Sequence, residues 1–244
     1  MKTKEARELG AHIATHIGAG EIEKAYELLA PVLAKRTPFA KLDLIGETIG
    51  SGDLDSANTF LELIRAHETE GGWVVIGRAL SQQLERDLAG ALERSRRYIV
   101  AADVWYGADI LGERVGGPAL VNSFNQALEL LASWRGDENV WVRRSAGVAV
   151  HFWAKRSHGT QELAQKAKSL LKFLEPMFEE WEMPAVKGVG WGLKTLGKHY
   201  PNLVASWLVE EIVPSERQYR ALMLRKALTY LSDAQRARAV GAAL

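Results

Sequence analysis

The sequence contains no cysteine among its 244 residues. Disulfide bonds and thiolate metal sites are therefore excluded, and we expect a cytoplasmic location, since a reducing compartment does not support disulfides. There are only 7 prolines and no long alternating runs of Val, Ile and Thr, so a β-sheet is not expected. The N-terminal stretch MKTKEARELGAHIATHIG lacks an unbroken apolar core. We expect no signal peptide, no membrane span and no membrane partner.

Familiar catalytic and cofactor motifs are also missing. The sequence has no Gly-rich phosphate loop, no HExxH and no GxSxG motif, and we expect no cofactor. His12 and His16 lie four residues apart on a predicted helix, but no third ligand is evident nearby, so we expect no metal site. We interpret His151, His158 and His199 as helix-surface or helix-end residues.

The net charge of +1 hides an uneven distribution. Residues 1–70 contain 8 Lys or Arg and 12 Asp or Glu, whereas the rest of the chain contains 23 basic and 18 acidic residues. A basic excess of this kind suits an anionic partner. Ordinary solvated helix faces are the alternative explanation.

Apolar residues recur at helical spacing along most of the chain, and about a dozen helices are predicted. In LAQKAKSLLKFLEPMFEEW (163–181), Pro176 is expected to divide the helix. Helix boundaries are predicted at short Gly, Pro or Asp clusters, including SGD (51–53), EGG (70–72), GGP (116–118) and VPS (213–215). Because no linker is long enough to separate domains, we predict a single helical domain over 1–244, with acidic N-terminal helices at 1–70 and repeats at 71–230.

Three segments look like copies of one unit. They are VWVRRSAGVAVHFWAKR (140–156), MPAVKGVGWGLKTLGKHYP (183–201) and RQYRALMLRKALTYLS (217–232), and GGWVVIGRALSQQLER (71–86) is a looser fourth copy. Each has a basic residue in the same place, followed by small residues; these residues are Arg144, Lys187, Arg225 and Arg78. Helix pairs with a period near 40 residues are typical of HEAT-like α-solenoids.

The predicted fold is therefore an all-α, HEAT-like α-solenoid, a superhelix of antiparallel helix pairs with a concave cationic groove. Small residues such as Ala146, Gly147, Gly188 and Gly190 would allow neighbouring helices to approach closely. Glycine inside a helix costs about 1 kcal/mol relative to alanine, so we expect these glycines to have a packing role.

The sequence has 8 tryptophans, more than a stack of aliphatic helices needs. Trp73, Trp153 and Trp207 are predicted to be core residues. Trp105, Trp141 and Trp191 lie in or beside the basic positions of the repeats. Aromatic rings among cations suit nucleic acid, because rings pack on sugars and bases while cations bind phosphates.

One carboxylate is unusual in this setting. Asp109 follows Trp105 by four residues, which puts both on one helix face. A carboxylate facing phosphates would repel them, but it would stabilise positive charge developing on a sugar that loses its base. A Trp-x-x-x-Asp pair also arises by chance, so the pair alone is weak evidence. Asp103, two residues before Trp105, is expected to cap the helix.

The order of four motifs is informative. VWYGAD, GGPAL, DENVWVRRSAGVAV and AVKGVGWGLKTLGKHYP, within residues 98–215, resemble the DNA alkylation repair family of AlkD-like HEAT-repeat DNA glycosylases. The resemblance implies a DNA-binding protein that excises cationic N3- or N7-alkylated purines without base flipping. Its expected partner is double-stranded DNA with alkylated bases, and we expect a monomer. The residue after Trp105 is Tyr106, where the family is expected to have an acidic or other polar residue.

The resemblance also implies roles for individual residues. Asp109 would be the catalytic carboxylate, Trp105 and Trp191 would pack against the deoxyribose at the lesion, and Arg144 would bind a nearby phosphate. Further contacts to DNA are expected from Trp141, Arg143, Lys187 and Lys194. Two alternatives remain open: a non-catalytic DNA-binding relative of the same family, and a HEAT-type protein-interaction scaffold.

Overall fold

The computed structural model describes residues 1–212 and 218–241, and every regular element within them is helical. The described residues form 15 α-helices and include no strand, which confirms the all-α prediction. No helix among them is both long and apolar enough to cross a membrane. The boundary predicted at VPS (213–215) and the first residue of the repeat at 217–232 lie outside the described residues.

The chain divides into two compact units, Met1–Val115 (unit 1) and Gly116–Leu244 (unit 2). Each unit has its own buried apolar core. The single domain over 1–244 stays a prediction.

Seven α-helices belong to unit 1. They are α1 (Thr3–Gly18), α2 (Ile22–Leu33), α3 (Phe39–Gly50), α4 (Leu54–Ala66), α5 (Glu70–Gln83), α6 (Leu88–Ala102) and α7 (Trp105–Leu111). The side chains of Asp53, Thr69 and Asp87 begin α4, α5 and α6 respectively, each by accepting a hydrogen bond from a backbone N–H of the first turn. These caps satisfy donors that have no partner inside the helix.

Alternate helices of unit 1 pack side by side. Helix α3 packs against α1 and α5, and α5 packs against α7, while α4 and α6 pack against α5 from outside this row. Helix α5 is buried over most of its length, and Trp73 on it is 1% exposed. This is the arrangement of stacked helix pairs that the repeat period predicted.

Unit 2 contains the other eight α-helices. They are α8 (Gly117–Asn122), α9 (Phe124–Leu131), α10 (Val140–Ser157), α11 (Ala164–Leu174), α12 (Met183–His199), α13 (Pro201–Trp207), α14 (Ala221–Ala227) and α15 (Asp233–Gly241). Short 3-10 segments lie at Ala132–Gly136, Gln161–Leu163 and Glu175–Glu179, and π-helical turns lie at Gly112–Gly116, on the boundary between the units, and Leu208–Ile212.

The predicted repeats form one row in unit 2. Helix α12 packs against α10 on one side and α14 on the other, and α10 also packs against α8. The segments beginning at 140, 183 and 217 therefore contribute adjacent helices, as predicted. Trp153 and Trp207 are 2% and 7% exposed, so the three tryptophans predicted to be core residues are all buried.

Glycines bring the backbones of α10 and α12 into contact. A Cβ atom on Gly147 would collide with the backbone of Gly188, and one on Gly188 would collide with the carbonyl oxygen of Arg144. A Cβ atom on Gly192 would lie 2.7 Å from the carbonyl oxygen of Gly147. The prediction that small residues permit close helix packing is confirmed.

The boundaries predicted at SGD, EGG and Pro176 are confirmed, whereas the break predicted at GGP is absent. SGD (51–53) separates α3 from α4, and α5 begins within EGG (70–72), where the Thr69 side chain caps it. GGP (116–118) is helical, since Pro118 lies at the start of α8, where its missing N–H costs no hydrogen bond. Pro176 does divide its segment, because α11 ends at Leu174 and a 3-10 turn follows.

Candidate nucleic-acid interface

Helix α7 carries Trp105 and Asp109, and a tight turn places its start. Helix α6 ends at Ala102, and Asp103 follows in the left-handed conformation with φ 44°. A Cβ atom on Gly107 would lie 2.6 Å from the Cβ of Ala102, so glycine allows α7 to begin close to the end of α6. The expectation that Asp103 caps α7 is wrong, because the capping position is occupied by Val104, which has no side-chain acceptor.

The two faces of α7 differ sharply. Its buried residues are Gly107, Ala108, Ile110 and Leu111. Trp105 is 57% exposed, and Asp109, one turn further along, is half-buried. The Trp105 ring meets the Tyr106 ring edge to face, with centroids 5.7 Å apart, so Tyr106 supports the indole from the side. An exposed indole and a carboxylate thus occupy adjacent turns of one short helix.

Arg143 on α10 is engaged within unit 2. Its Nε donates to Glu180 Oε2 at 2.7 Å, and Nη2 forms an ion pair with Glu182. Its Nη1 donates to the carbonyl oxygen of Asp137 at 2.7 Å. The side chains of Arg143 and Glu180 are only 14% and 11% exposed. The predicted DNA contact by Arg143 therefore needs correction: two carboxylates already neutralise its charge, and it ties the start of α10 to the loop before α12.

Arg144 has a different environment from its neighbour. It is 9% exposed, and its Nη1 donates to the carbonyl oxygen of Pro184 at 3.0 Å. Its Cγ would lie 2.7 Å from a Cβ atom on Gly188. Arg144 is therefore anchored on the first turn of α12 at Pro184, which precedes Lys187 in the same helix. Its role as a phosphate ligand stays a prediction.

Trp191 on α12 stacks on His151 of α10. The ring centroids are 3.8 Å apart and the planes are inclined by 23°. His151 Nδ1 lies 2.7 Å from Thr195 Oγ1, and this hydroxyl donates to the Trp191 carbonyl oxygen at 3.0 Å. Burial lowers the pKa of His151 to about 4, with smaller contributions from the charges of Lys155 and His199. The imidazole is therefore neutral near pH 7.

The interpretation of His151 as a surface residue is wrong. It is 8% exposed, because the glycine contact between α10 and α12 draws the next turns of both helices together. His158 and His199 do lie at helix ends, directly after α10 and as the last residue of α12. A sequence signal for His151 existed, since it follows Arg144 by seven residues, or two helical turns, and so shares its face.

Helix α12 presents a row of basic residues around Trp191. Lys187, Trp191, Lys194 and Lys198 are spaced by four, three and four residues, which aligns them on one face. Lys187 and Lys198 are exposed. The ammonium groups of Lys194 and Lys198 lie 5.5 and 6.0 Å from the centroid of Tyr230, which is 48% exposed. Tyr230 was not among the residues predicted from the sequence.

The other basic positions of the repeats differ in environment. Arg78 on α5 pairs with Glu47 at 3.2 Å, whereas Arg225 on α14 is exposed. Trp141 is half-buried in the first turn of α10. Its backbone N–H donates a hydrogen bond to Asn139 Oδ1 at 2.9 Å.

The predicted site residues are distributed over both units. Trp105 and Asp109 belong to unit 1. The other six predicted residues belong to unit 2; they are Trp141, Arg143, Arg144, Lys187, Trp191 and Lys194. Within unit 2, the contact between α10 and α12 brings Arg144, Lys187 and Trp191 onto adjoining helices. The convergence of all these residues on one face stays a prediction.

The chain was compared with known proteins. No curated protein matches it significantly. Among solved structures, it is similar to the alkylpurine DNA glycosylase AlkC of Pseudomonas fluorescens, determined bound to DNA containing an abasic-site analog. The TM-score is 0.58 at 18% sequence identity, and the match covers 97% of this chain and 66% of that chain. This chain thus spans just under two thirds of the length of that protein, and the likeness establishes a shared helical fold.

The family assignment rests on the sequence. Residues 52–231 match the profile of the DNA alkylation repair enzyme family. The matched region includes α4 to α14 and all eight predicted site residues. It extends well beyond half of the chain, and therefore this protein belongs to the DNA alkylation repair enzyme family.

Proposed function

We propose that this protein is a DNA glycosylase that excises cationic N3- or N7-alkylated purines from double-stranded DNA without base flipping. The observation that carries the proposal is the pairing on α7 of a 57% exposed indole, Trp105, with the carboxylate of Asp109 one turn away. Membership of the DNA alkylation repair enzyme family supports it. So does the fold shared with an alkylpurine DNA glycosylase whose bound DNA contains an analog of an abasic site, which is what base excision leaves behind.

The proposed chemistry requires one carboxylate. An N3- or N7-alkylated purine already carries a positive charge, so it departs without protonation by a general acid. The bond between the base and C1′ of the sugar breaks, and positive charge develops on the sugar ring. Asp109 would stabilise this charge and orient the water that attacks C1′. Most glycoside hydrolases need a second carboxyl group to protonate a poorer leaving group.

The two aromatic residues have the properties of sugar contacts. Trp105 is held by an edge-to-face contact with Tyr106, and Trp191 is held by its stack on His151. A surface indole can pack against a deoxyribose while the nucleotide remains in the duplex, which fits excision without base flipping. Such contacts would hold the damaged nucleotide without recognising the surrounding DNA sequence.

Basic residues of unit 2 would bind the phosphate backbone. Lys187 and Lys194 lie on the same face of α12 as Trp191. Arg144, whose Nη1 donates to the Pro184 carbonyl oxygen, is proposed to bind a nearby phosphate. Neutralising phosphates supplies most of the sequence-independent affinity for DNA.

The test is release of bases from methylated duplex DNA. The full-length protein is incubated with DNA treated with a methylating agent, and free 3-methyladenine and 7-methylguanine are measured by chromatography. Binding to the same DNA is measured in parallel by fluorescence anisotropy. Release of either base supports the proposal. Binding without release would instead identify a non-catalytic DNA-binding relative, and absence of both would favour a protein-interaction scaffold.

A further inference from the structure

The stack of His151 on Trp191 lies beside a close contact between the backbones of α10 and α12. Gly147 and Gly188 leave no room for a Cβ atom between α10 and α12. His151 follows Gly147 by one turn, and Trp191 follows Gly188 by about one turn. The separation of the helices is thus fixed by backbone contact, and the two rings fill the space immediately next to it at 3.8 Å.

Hydrogen bonds define how the imidazole is held. Thr195 Oγ1 lies within hydrogen-bond distance of both the Trp191 carbonyl oxygen, at 3.0 Å, and His151 Nδ1, at 2.7 Å. When the hydroxyl donates to the carbonyl oxygen, it accepts from His151 in the Nδ1–H tautomer of the ring. Thr195 links the imidazole to the backbone of the residue on which it stacks, so ring orientation and indole position are coupled.

One face of the Trp191 indole is covered by His151, yet Trp191 remains half-buried instead of fully buried. Trp191 thus keeps part of its surface accessible while His151 covers one face of the indole. Burial disfavours protonation of the imidazole and lowers its pKa, with smaller contributions from Lys155, one turn further along α10, and His199 on α12. The stack therefore remains between neutral rings.

We propose that His151 is a positioning residue that holds Trp191 against the deoxyribose of the damaged nucleotide. This inference rests on the proposed glycosylase function for its consequence in catalysis. His151 acts through Trp191 and does not touch the reacting atoms. Thr195 is the third member of the arrangement, because its hydroxyl fixes the imidazole plane.

The first test needs no DNA and no activity. The indole 1H–15N signal of Trp191 is assigned in the full-length protein by its loss in Trp191→Phe. His151→Ala is expected to shift or broaden this signal, and His151→Phe, which retains a ring, is expected to disturb it less. The matched control is His67→Ala, which removes a comparable stack of His67 on Tyr26 in unit 1 at 4.2 Å and should leave the Trp191 signal in place. An unchanged Trp191 signal in His151→Ala would overturn the proposal.

The second test measures coupling between the two rings in catalysis. His151→Ala is expected to slow single-turnover excision of 7-methylguanine about tenfold, because misplacing a substrate contact by a fraction of an ångström is costly. His151→Phe should restore most of the rate, and affinity for undamaged DNA should change less than about twofold. In a Trp191→Ala background, His151→Ala should have no further effect on the rate.

The outcomes separate this inference from the proposed function. Equal rate losses from His151→Ala with and without Trp191 would show that His151 acts independently of the indole, which overturns positioning. If the wild-type protein releases no base, the proposed function fails, and the Trp191 signal alone decides whether His151 holds the indole. If His151→Ala does not fold, Thr195→Val tests the same link with the ring intact, and an unchanged Trp191 signal in that variant would contradict it.

Discussion

Two helix pairs, α3 with α5 in unit 1 and α10 with α12 in unit 2, share a packing device but differ in the side chains beside it. In the first pair, a Cβ atom on Gly46 would lie 2.5 Å from the Val75 carbonyl oxygen. In the second pair, a Cβ atom on Gly147 would collide with the backbone of Gly188. Close by in unit 1, Arg78 pairs with Glu47. In unit 2, the stacked rings of His151 and Trp191 lie one turn further along the helices from the glycine contact.

A pair of examples, one from each unit, shows a similar contrast among basic residues. In unit 1, Arg114 forms a bidentate ion pair with Asp43, with N–O distances of 2.8 and 3.2 Å. On α12 in unit 2, Lys194 and Lys198 instead lie beside the exposed ring of Tyr230. The repeated glycine contact thus builds the fold, whereas the surroundings of that contact decide whether a cation is neutralised internally or available to an external anion.

The largest effect is expected where the helix backbones touch. Gly147→Ala in unit 2 and Gly50→Ala in unit 1 should each lower the free energy of unfolding by about 3 kcal/mol, because a Cβ atom at either place meets backbone that cannot yield cheaply. Gly18→Ala is the control, since nothing lies within 4 Å of its added Cβ, and it should change stability by less than about 1 kcal/mol. Denaturant unfolding measures all three. If the Gly147→Ala variant is as stable as the wild type, the α10–α12 contact can relax to accommodate the added methyl group.

The second prediction compares two arginines. Arg143→Ala should destabilise the protein by about 3 kcal/mol, because it leaves the mostly buried Glu180 without its cation. Arg78→Ala should cost less than about 1 kcal/mol, since the Arg78–Glu47 pair is more exposed. If denaturant unfolding shows that Arg143→Ala and Arg78→Ala lose the same unfolding free energy, the distinction between a buried structural pair and a surface pair is wrong.

The third prediction concerns acid stability. Because the pKa of His151 is lowered from 6.5 to about 4, the unfolded chain binds a proton at this residue at a higher pH than the folded protein. Its contribution to stability is complete above pH 6.5 and is lost as the pH falls from 6.5 towards 4, by at most about 1.4 kcal/mol per pH unit. The free energy of unfolding of His151→Phe should lack this part of the pH dependence. Unfolding free energies at pH 7.5 and pH 5 test it, and identical pH dependence in both proteins would contradict a buried neutral imidazole.

The smallest effect is expected at an exposed lysine. Lys187→Ala should weaken DNA binding modestly at any sequence and reduce the slope of log affinity against log salt by about one, as loss of one phosphate contact requires. Lys4→Ala in unit 1, where Lys4 is exposed and 3.7 Å from Glu8, should leave the slope unchanged. A slope in Lys187→Ala equal to that of the wild type would exclude this residue from the DNA surface.

Much of the fold could be predicted because it depends on local pattern. The repeat period placed α10, α12 and α14 in one row, and the glycines at 147 and 188 indicated close packing. The break predicted at GGP was wrong, because glycine and proline are tolerated in the first turn of a helix after a suitable start. A sequence pattern for these residues does not distinguish an interrupted helix from a capped one.

The site was predicted less completely, because it depends on partners distant in sequence. Arg143 was assigned to DNA, yet Glu180 and Glu182, nearly 40 residues away, neutralise it. His151 was interpreted as a surface residue, although its contact with Trp191 on another helix buries it. Helical spacing predicts which residues share a face, but it does not predict what packs against that face.

The most direct test of the account is single-turnover excision of 7-methylguanine from a duplex by Asp109→Asn. Asp103→Asn is the matched control, because Asp103 lies just before α7 in the turn after α6. The account predicts that Asp109→Asn slows excision about 100-fold or more, because it removes the charge that stabilises the sugar cation, while DNA affinity and the rate of Asp103→Asn stay close to wild type. Excision by Asp109→Asn at the wild-type rate would contradict it.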